Sequence, residues 1–204
     1  VGGPTAVNSD IGATMTVTNA GDFTLAEFST LTVGTFLQND VGANVIGDNI
    51  TADLGGITFA ETVTLTSGTA DDTIVFSTTA ANQAIAFNDT AVSIANADDE
   101  SISLSAGASG DGGNITIAGA TNLGTTGDVT ISRAETVLFT GLFNAENFTQ
   151  TNTDNQAVLT TFNGALDVET NFSFTGNALT IDAGGPAAVN SDIGATMTVT
   201  NAGD

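Results

Sequence analysis

"GGNITIAGATNLGTTGDVTIS", residues 112–132, contains two short runs in which apolar and polar residues alternate. In NITI (114–117) and DVTI (128–131), isoleucine or valine occupies every second position and threonine lies between them. Strict alternation over a few residues is typical of a strand with one buried face. Threonine favours strands, and the glycine and asparagine residues between the runs favour turns. The stretch therefore predicts two short strands separated by a turn.

The same pattern recurs along most of the chain. Further runs are ETVTLTSG (61–68), ESISLSAG (100–107), NFSFTG (171–176) and ATMTVTNAG (13–21), and the apolar cores of the runs follow one another at short, fairly regular intervals. The segment 132–143 also favours a strand over a helix, because it is rich in β-branched residues and contains Gly141. Alternation is weak in residues 34–56, which are predicted to form a looser loop or an inserted turn. We therefore predict an all-β chain.

A long duplication links the two ends of the sequence. Residues 2–22 and 184–204 are identical except for Thr5 and Ala187, which sets the period at 184 − 2 = 182. Near-identical copies at a fixed period indicate a tandem array. We therefore predict that residues 1–183 form one repeat unit, that residues 184–204 begin the next, and that the sequence is a window on a longer array.

Two all-β folds fit such a unit. In a β-solenoid, short strands coil around one axis and each coil stacks on the last. Three strands per coil would take about 22 to 30 residues, so one unit would contain about six to eight coils. At the spacing of stacked strands, one unit would advance about 30–40 Å along the axis. The alternative is a pair of immunoglobulin-like β-sandwiches, which would show similarity at half the period. Residues 10–25 and 101–116 show none, and the chain lacks tryptophan and tyrosine. These observations favour the solenoid.

A resemblance in style supports the same fold. Residues 112–132 repeat strands of the form G-[ND]-x-[apolar]-T-[apolar], and GDFTL (21–25) and GNALTI (176–181) are looser examples. In this the chain resembles the filamentous-haemagglutinin-like and autotransporter-like β-helical surface proteins of bacteria. The resemblance implies a secreted, very long, right-handed β-helical protein that acts in adhesion or surface structure, located outside the cell or on its surface. It transfers no binding residue to this sequence.

The charge of the chain restricts its partners. Asp and Glu number 23 against one cation, Arg133, for a net charge of −22. Nucleic-acid binding requires clustered lysine and arginine, and anionic membrane surfaces attract the same residues. The sequence contains no run of about 18 apolar residues of the kind that spans a bilayer. We expect no nucleic-acid partner and no membrane insertion.

The composition also limits catalysis. Histidine, cysteine, lysine and tyrosine are absent, which excludes a serine–histidine triad, a thiol nucleophile and a Schiff base. Paired carboxylates remain, in ADDT (70–73) and ADDES (97–101). The acidic residues of these stretches are Asp71, Asp72, Asp98, Asp99 and Glu100. Because the aromatic platforms of most sugar-binding sites are missing, we expect solvated turns here and predict no catalytic residue and no enzyme.

Calcium is the one metal that the sequence favours, because only oxygen ligands are available. SGTADDTIVF (67–76) resembles the glycine–aspartate nonapeptide repeats that bind calcium, but it occurs once and lacks glycine at key positions. ASGDGGN (108–114), with Asp111, is a second acidic turn. We predict no cofactor and no specific metal ligand, with calcium as a weak possibility. Five Asn-x-Ser/Thr sequons could carry glycans in a secreted chain: Asn49, Asn88, Asn114, Asn147 and Asn171.

The twelve phenylalanines are the bulkiest side chains of the chain. In a solenoid, similar side chains on successive coils align into ladders, so most are expected in the core. The pairs Phe139/Phe143 and Phe172/Phe174 are the candidates for an outer face that binds neighbouring chains.

Three functions follow from these patterns. The first is a non-catalytic structural segment of a giant extracellular fibre or adhesin stalk, whose partner is itself through end-to-end stacking, with lateral bundling as a further mode. The second is an adhesin module that binds a sugar or a host protein, which requires an exposed cluster of polar and aromatic residues. The third is a β-helical carbohydrate enzyme, which requires two carboxylates facing each other across a cleft.

Overall fold

Short β-strands make up all the regular structure of the described chain. The computed structural model describes residues 9–18, 20–68, 72–97, 99–151, 159–181, 192–194 and 196–201, and these contain no helix. The strands are β1 (Ser9–Val17), β2 (Phe23–Leu25), β3 (Leu31–Gln38), β4 (Asn44–Ile46), β5 (Ile50–Ala52), β6 (Ile57–Phe59), β7 (Val63–Leu65), β8 (Thr73–Thr78), β9 (Ile85–Phe87), β10 (Val92–Asn96), β11 (Ser101–Ser105), β12 (Gly107–Ala108), β13 (Asp111–Gly112), β14 (Asn114–Ile117), β15 (Ala120–Asn122), β16 (Val129–Arg133), β17 (Thr136–Phe139), β18 (Phe143–Gln150), β19 (Leu159–Phe162), β20 (Leu166–Gly176), β21 (Ala178–Ile181), β22 (Asp192–Ile193) and β23 (Thr196–Asn201).

Strands of successive circuits pair in parallel and form three faces. Face 1 contains β5, β8, β11, β16 and β23, with the first part of β1 and β3 and the last part of β18 and β20. Face 2 contains β6, β9, β14, β17, β19 and β21, with the last part of β1 and β3. Face 3 contains β2, β4, β7, β10, β15 and β22, with the first part of β18 and β20. The fold is a β-solenoid with three strands per circuit, and not a pair of sandwiches.

The circuits can be counted along face 1. Seven circuits lead from Ser9 to Phe174, and an eighth brings the chain to Val199. The aligned positions are 9, 31, 50, 76, 104, 131, 150, 174 and 199. The circuit from Leu31 to Ile50 is among the shortest, and the circuit from Thr64 to Ala95 is the longest. Circuit lengths extend slightly beyond the predicted range at both ends, because loops of different length leave the corners.

Alternation explains which side chains form the core. In β7, Val63 and Leu65 are fully buried, and Thr64 between them points outward. The interior is a column of apolar side chains that stack along the axis at the spacing of the strands. Phenylalanines fill two regions of this column. Phe59 and Phe87 stack in the first region with ring centroids 5.4 Å apart, and Phe139 and Phe162 stack in the second at 4.8 Å. Isoleucine, leucine and valine fill the circuits between them.

The suggested lateral role of two phenylalanine pairs is wrong. Phe139, Phe143, Phe172 and Phe174 are each at most 1% exposed. Phe139 and Phe143 meet edge to face inside the solenoid, with ring centroids 4.8 Å apart. Their role is to fill the core, as expected for most phenylalanines of the chain.

The predicted loop over residues 34–56 is also wrong. The last part of β3, together with β4 and β5, occupies about half of it, and these strands pair with strands on neighbouring circuits. Alternation is hidden there because Gln38 and Asn44, both fully buried, take inward positions that are mostly apolar on other circuits. Gln38 compensates through the backbone: its Nε2 donates to the Gly42 carbonyl at 3.1 Å and its Oε1 accepts from the Ala60 N–H at 2.9 Å. In 132–143, by contrast, β17 confirms the predicted strand.

Part of the duplicated segment continues the solenoid. β22 and β23 pair in parallel with β20. The differing positions, Thr5 and Ala187, and the predicted boundary after residue 183 lie outside the described residues.

Candidate functional sites

The two acidic stretches lie on neighbouring circuits, at the corner where face 3 leads to face 1. The Ser101 N–H donates to the Asp72 carbonyl at 2.8 Å, and Ser101 aligns with Thr73. Asp71 and Asp98 lie outside the described residues. Asp72 and Asp99 are exposed, as the prediction of solvated turns requires. Stacking therefore brings together two motifs that are separated by a whole circuit of sequence.

Glu100 departs from that prediction because it is fully buried. Its Oε1 accepts from the Ser67 N–H at 2.6 Å and from the Ser67 hydroxyl at 3.3 Å. The Asn96 amide brackets its backbone, accepting from the Glu100 N–H at 2.9 Å and donating to the Glu100 carbonyl at 3.0 Å. A buried carboxylate is costly unless hydrogen bonds stabilise it, and these contacts supply them. Glu100 therefore ties two circuits together at this corner.

Asp99 lines a polar crevice on the outside of the same corner. The crevice has a volume of about 340 Å³, and its walls include Asn96, Asp99, Asn122 and Thr126. Asp99 adopts a φ of 71° and its Oδ1 accepts from the Thr126 hydroxyl at 2.6 Å. This hydrogen bond again joins neighbouring circuits. None of the described residues that line this crevice is aromatic.

A second crevice does include an aromatic ring, Phe28. Its volume is about 200 Å³, and its walls include Glu27, Phe28, Asp48, Asn49 and Asp72. Phe28 is 42% exposed and has a φ of 60°. A bulky residue in the left-handed region is strained, and such strain is concentrated at functional sites. We refer to these five residues as the Phe28 crevice.

The Phe28 crevice draws on three successive circuits. Asp48 accepts from the Thr30 hydroxyl at 3.3 Å, and Asn49 Oδ1 accepts from the Val75 N–H at 2.6 Å. These contacts fix two polar walls beside the exposed ring. Sequence reasoning identified Asp72 but missed Phe28, although its position next to Glu27 and outside any alternating run was a signal that it does not belong to the core.

The structure places the remaining acidic turn in a hairpin outside the three sheets. β12 and β13 pair antiparallel, with Ala108 opposite Asp111. Arg133 Nη1 donates to the Gly107 carbonyl at 3.0 Å and so braces the hairpin. Among the described residues, no group of three or more acidic side chains is arranged to hold a metal ion. Weak calcium binding stays a prediction.

The sequon asparagines differ in accessibility. Asn88, Asn114 and Asn171 are exposed, whereas Asn49 and Asn147 are half-buried. On face 1, Asn147 Nδ2 donates to Asp128 Oδ1 at 2.7 Å, and Asn171 Nδ2 donates to Asn147 Oδ1 at 3.1 Å. These amides therefore form a polar ladder between circuits.

Comparison with protein-family models, with curated proteins and with solved structures finds no match to the chain. Within the described residues, no helix is long and apolar enough to cross a membrane.

Proposed function

We propose that the chain is a non-catalytic structural segment of a long, repetitive extracellular fibre or adhesin stalk, in which copies of the repeat unit continue one solenoid. One observation carries the proposal. The second copy of the duplicated segment pairs in register with β20, so that Met197 aligns with Phe172 and Val199 with Phe174. The start of one unit therefore extends the ladder at the end of the unit before it.

The first copy makes the complementary contacts. Met15 and Val17, the counterparts of Met197 and Val199, align with Phe36 and Gln38 on the following circuit. Each copy is thus paired with a circuit on one side: the first with the circuit after it, the second with the circuit before it. In an array, every internal copy would make both sets of contacts. Its apolar side chains, which are partly exposed in both copies here, would be covered.

The charge distribution suits a long rod. An acidic surface keeps neighbouring rods apart through electrostatic repulsion and so opposes their lateral aggregation. Continuity along the axis is affected less, because it depends on backbone hydrogen bonds and apolar stacking. The extracellular location rests on the resemblance in style described above.

The test is electron cryo-microscopy of an array in which residues 1–204 are followed by further copies of residues 23–204, since residue 204 corresponds to residue 22. We expect continuous rods with a layer line at about 4.8 Å along the axis and an advance of about 37 Å per unit. Beads joined by linkers, or the absence of this layer line, would contradict the proposal.

A lateral binding role is the second candidate, and the Phe28 crevice favours it. An exposed ring beside carboxylate and amide groups is the kind of polar and aromatic cluster that recognises sugars or protein side chains. The test is a glycan array probed with the fluorescently labelled chain. Binding that is lost in Phe28→Ala and kept in Leu142→Ala, an exposed apolar side chain elsewhere on the surface, would support it; equal signals from both variants would argue against this crevice.

A further inference from the structure

The two copies of the duplicated segment lie on different faces of the solenoid. In the first copy, Asp10 and Ile11 lie on face 1, and Thr14 to Val17 lie on face 2. Their counterparts, Asp192 and Ile193, lie on face 3, and Thr196 to Val199 lie on face 1. In the winding order of faces 1, 2 and 3, the second copy therefore starts one face earlier than the first copy does.

The circuit count agrees with this displacement. Seven circuits lead from the segment at Ser9 to the face 1 part of β20. The chain then passes through β21 on face 2 and reaches β22 on face 3, where the second copy starts. One repeat unit thus spans seven and two-thirds circuits instead of a whole number.

We propose that successive units of the array are rotated by one third of a turn about the solenoid axis, so that the pattern is restored only after three units and 23 circuits. The inference rests on the proposed array. It also defines the interface: the docking surface for the start of each unit is the last circuit of the unit before it, through the pairing that β20 makes with β22 and β23.

The geometry of the corners explains how one sequence can occupy either pair of faces. β1 and β3 pass from face 1 to face 2 around a tight corner near Gly12 and Gly34, with a register shift at that point. β18 and β20 turn a similar corner between face 3 and face 1, with a register shift after Ala145. A tight corner therefore exists both between face 1 and face 2 and between face 3 and face 1. Since each face is a parallel ladder with the same strand spacing, an alternating strand can pair on any of them.

Gly12 and Gly194 occupy this corner in the first and the second copy, and they differ in the space around a side chain. A Cβ on Gly194 would clash with the Glu169 carbonyl oxygen of the preceding circuit, whereas a Cβ on Gly12 would meet no atom of the described residues within 4 Å. The two glycines are the same residue of the repeat. Only the copy with a circuit stacked before it requires glycine, so the requirement comes from the contact between units.

The rotation between units determines where lateral features lie on the surface of the array. A lateral feature such as the Phe28 crevice would appear in three rows around the rod, each row repeating at about 110 Å. Without rotation, all copies would lie in one row. A stalk built this way presents its lateral features on every side.

Disulfide trapping in the 204-residue chain tests the face assignment, because the chain has no cysteine of its own. Ser173 aligns with Thr198 on face 1, and both lie between inward-facing neighbours, so the double variant Ser173→Cys with Thr198→Cys should crosslink on mild oxidation. The matched control is Thr180→Cys with Thr198→Cys. Thr180 belongs to the face 2 column that contains Thr16, and it would lie next to Thr198 only if the second copy used the same faces as the first.

We expect at least ten-fold more disulfide in the first pair than in the control, measured by gel mobility without reductant and by peptide mass spectrometry. Preference for the control pair, equal crosslinking of both pairs, or crosslinking of neither would overturn the inference.

Cryo-microscopy of the array separates the inference from the proposed function. Units related by a rotation of about 120°, with a full repeat of 23 circuits, support both. A layer line at about 4.8 Å with unrotated units of eight circuits would leave the fibre intact and overturn the rotation. Loss of the layer line would overturn the fibre itself.

Discussion

Phe162 packs between several rings in the second half of the core. It stacks on Phe139 with ring planes 3° apart, and it meets Phe143 and Phe148 edge to face at 5.2 and 5.3 Å. We predict that Phe162→Ala lowers the free energy of unfolding by about 3–5 kcal/mol, because it leaves a cavity in a close-packed column. Urea unfolding followed by circular dichroism measures it. Phe28→Ala, at an exposed ring, is the control and should change stability little; equal losses would contradict the assignment of Phe162 to the core.

Hydrogen bonds, first of all that of the Thr62 hydroxyl, lower the pKa of Asp89. Thr62 Oγ1 lies 2.6 Å from Asp89 Oδ2, and the Ala91 N–H donates to Asp89 Oδ1 at 2.8 Å. The hydroxyl hydrogen bond, followed by that of Ala91, lowers the pKa of Asp89 below its ordinary value of 3.8. A carboxyl with a lowered pKa stabilises the fold above its ordinary pKa, and this stability is lost as the pH falls through the lowered value.

We therefore predict that Thr62→Val raises the pKa of Asp89 toward its ordinary value and lowers the free energy of unfolding at pH values above that ordinary value, whereas stability at pH values below the lowered pKa changes little. Titration of the carboxyl carbon by NMR measures the pKa directly, and Asp89→Asn identifies the resonance. An unchanged pKa in Thr62→Val would show that the backbone donors alone set it.

At the scale of elements, β18 and β19 share a polar contact inside the solenoid. Gln150 and Thr160 are both 1% exposed, and the Thr160 hydroxyl donates to Gln150 Oε1 at 2.7 Å. Gln150 Nε2 has no hydrogen-bond partner among the described residues and lies in the face 1 column between Ile131 and Phe174. Within the described part of the chain, the pair therefore leaves one buried donor unsatisfied, which costs free energy.

We predict opposite effects for single and double changes at this pair. Thr160→Val leaves Gln150 Oε1 without its donor and should lower the free energy of unfolding by about 1–3 kcal/mol. Thr160→Val combined with Gln150→Leu removes both polar groups and should restore the stability of the parent chain or exceed it. A double-mutant cycle from urea unfolding measures the coupling, and additive losses would contradict it.

The strands and the solenoid were predictable from the sequence, whereas the length of each circuit, which decides which side chains meet, was not. Alternation identified β7, β11, β14 and β16 from sequence because their inward positions are all apolar. It failed at Gln38 and Asn44, where buried amides interrupt the pattern. The contact between Ser67 and Glu100 could not be derived, since it depends on a circuit length that varies from one circuit to the next. The burial of Glu100 follows from that contact and was missed with it.

At the scale of the whole molecule, uncompensated charge opposes the fold. A net charge of −22 is distributed over about eight circuits spaced at about 4.8 Å. The screening length is about 30 Å at about 0.01 M salt, which is close to the length of one unit, and about 8 Å at about 0.15 M, which spans fewer than two circuits. Repulsion therefore acts along the whole unit at low salt and only between adjacent circuits at physiological salt.

We predict that the unfolding temperature rises steeply between about 0.01 and about 0.15 M NaCl and flattens above it, because screening removes the long-range part of the repulsion first. A gain on the order of 1 kcal/mol corresponds to about 2–4 °C for a chain of this size. Thermal unfolding followed by circular dichroism measures it, with KCl as the control for ion identity. A larger gain in CaCl₂ at equal ionic strength would indicate specific calcium binding, and a salt-independent unfolding temperature would contradict the repulsion. Since the same screening length limits repulsion between neighbouring units, an array at physiological salt should be no less stable per unit than the single chain.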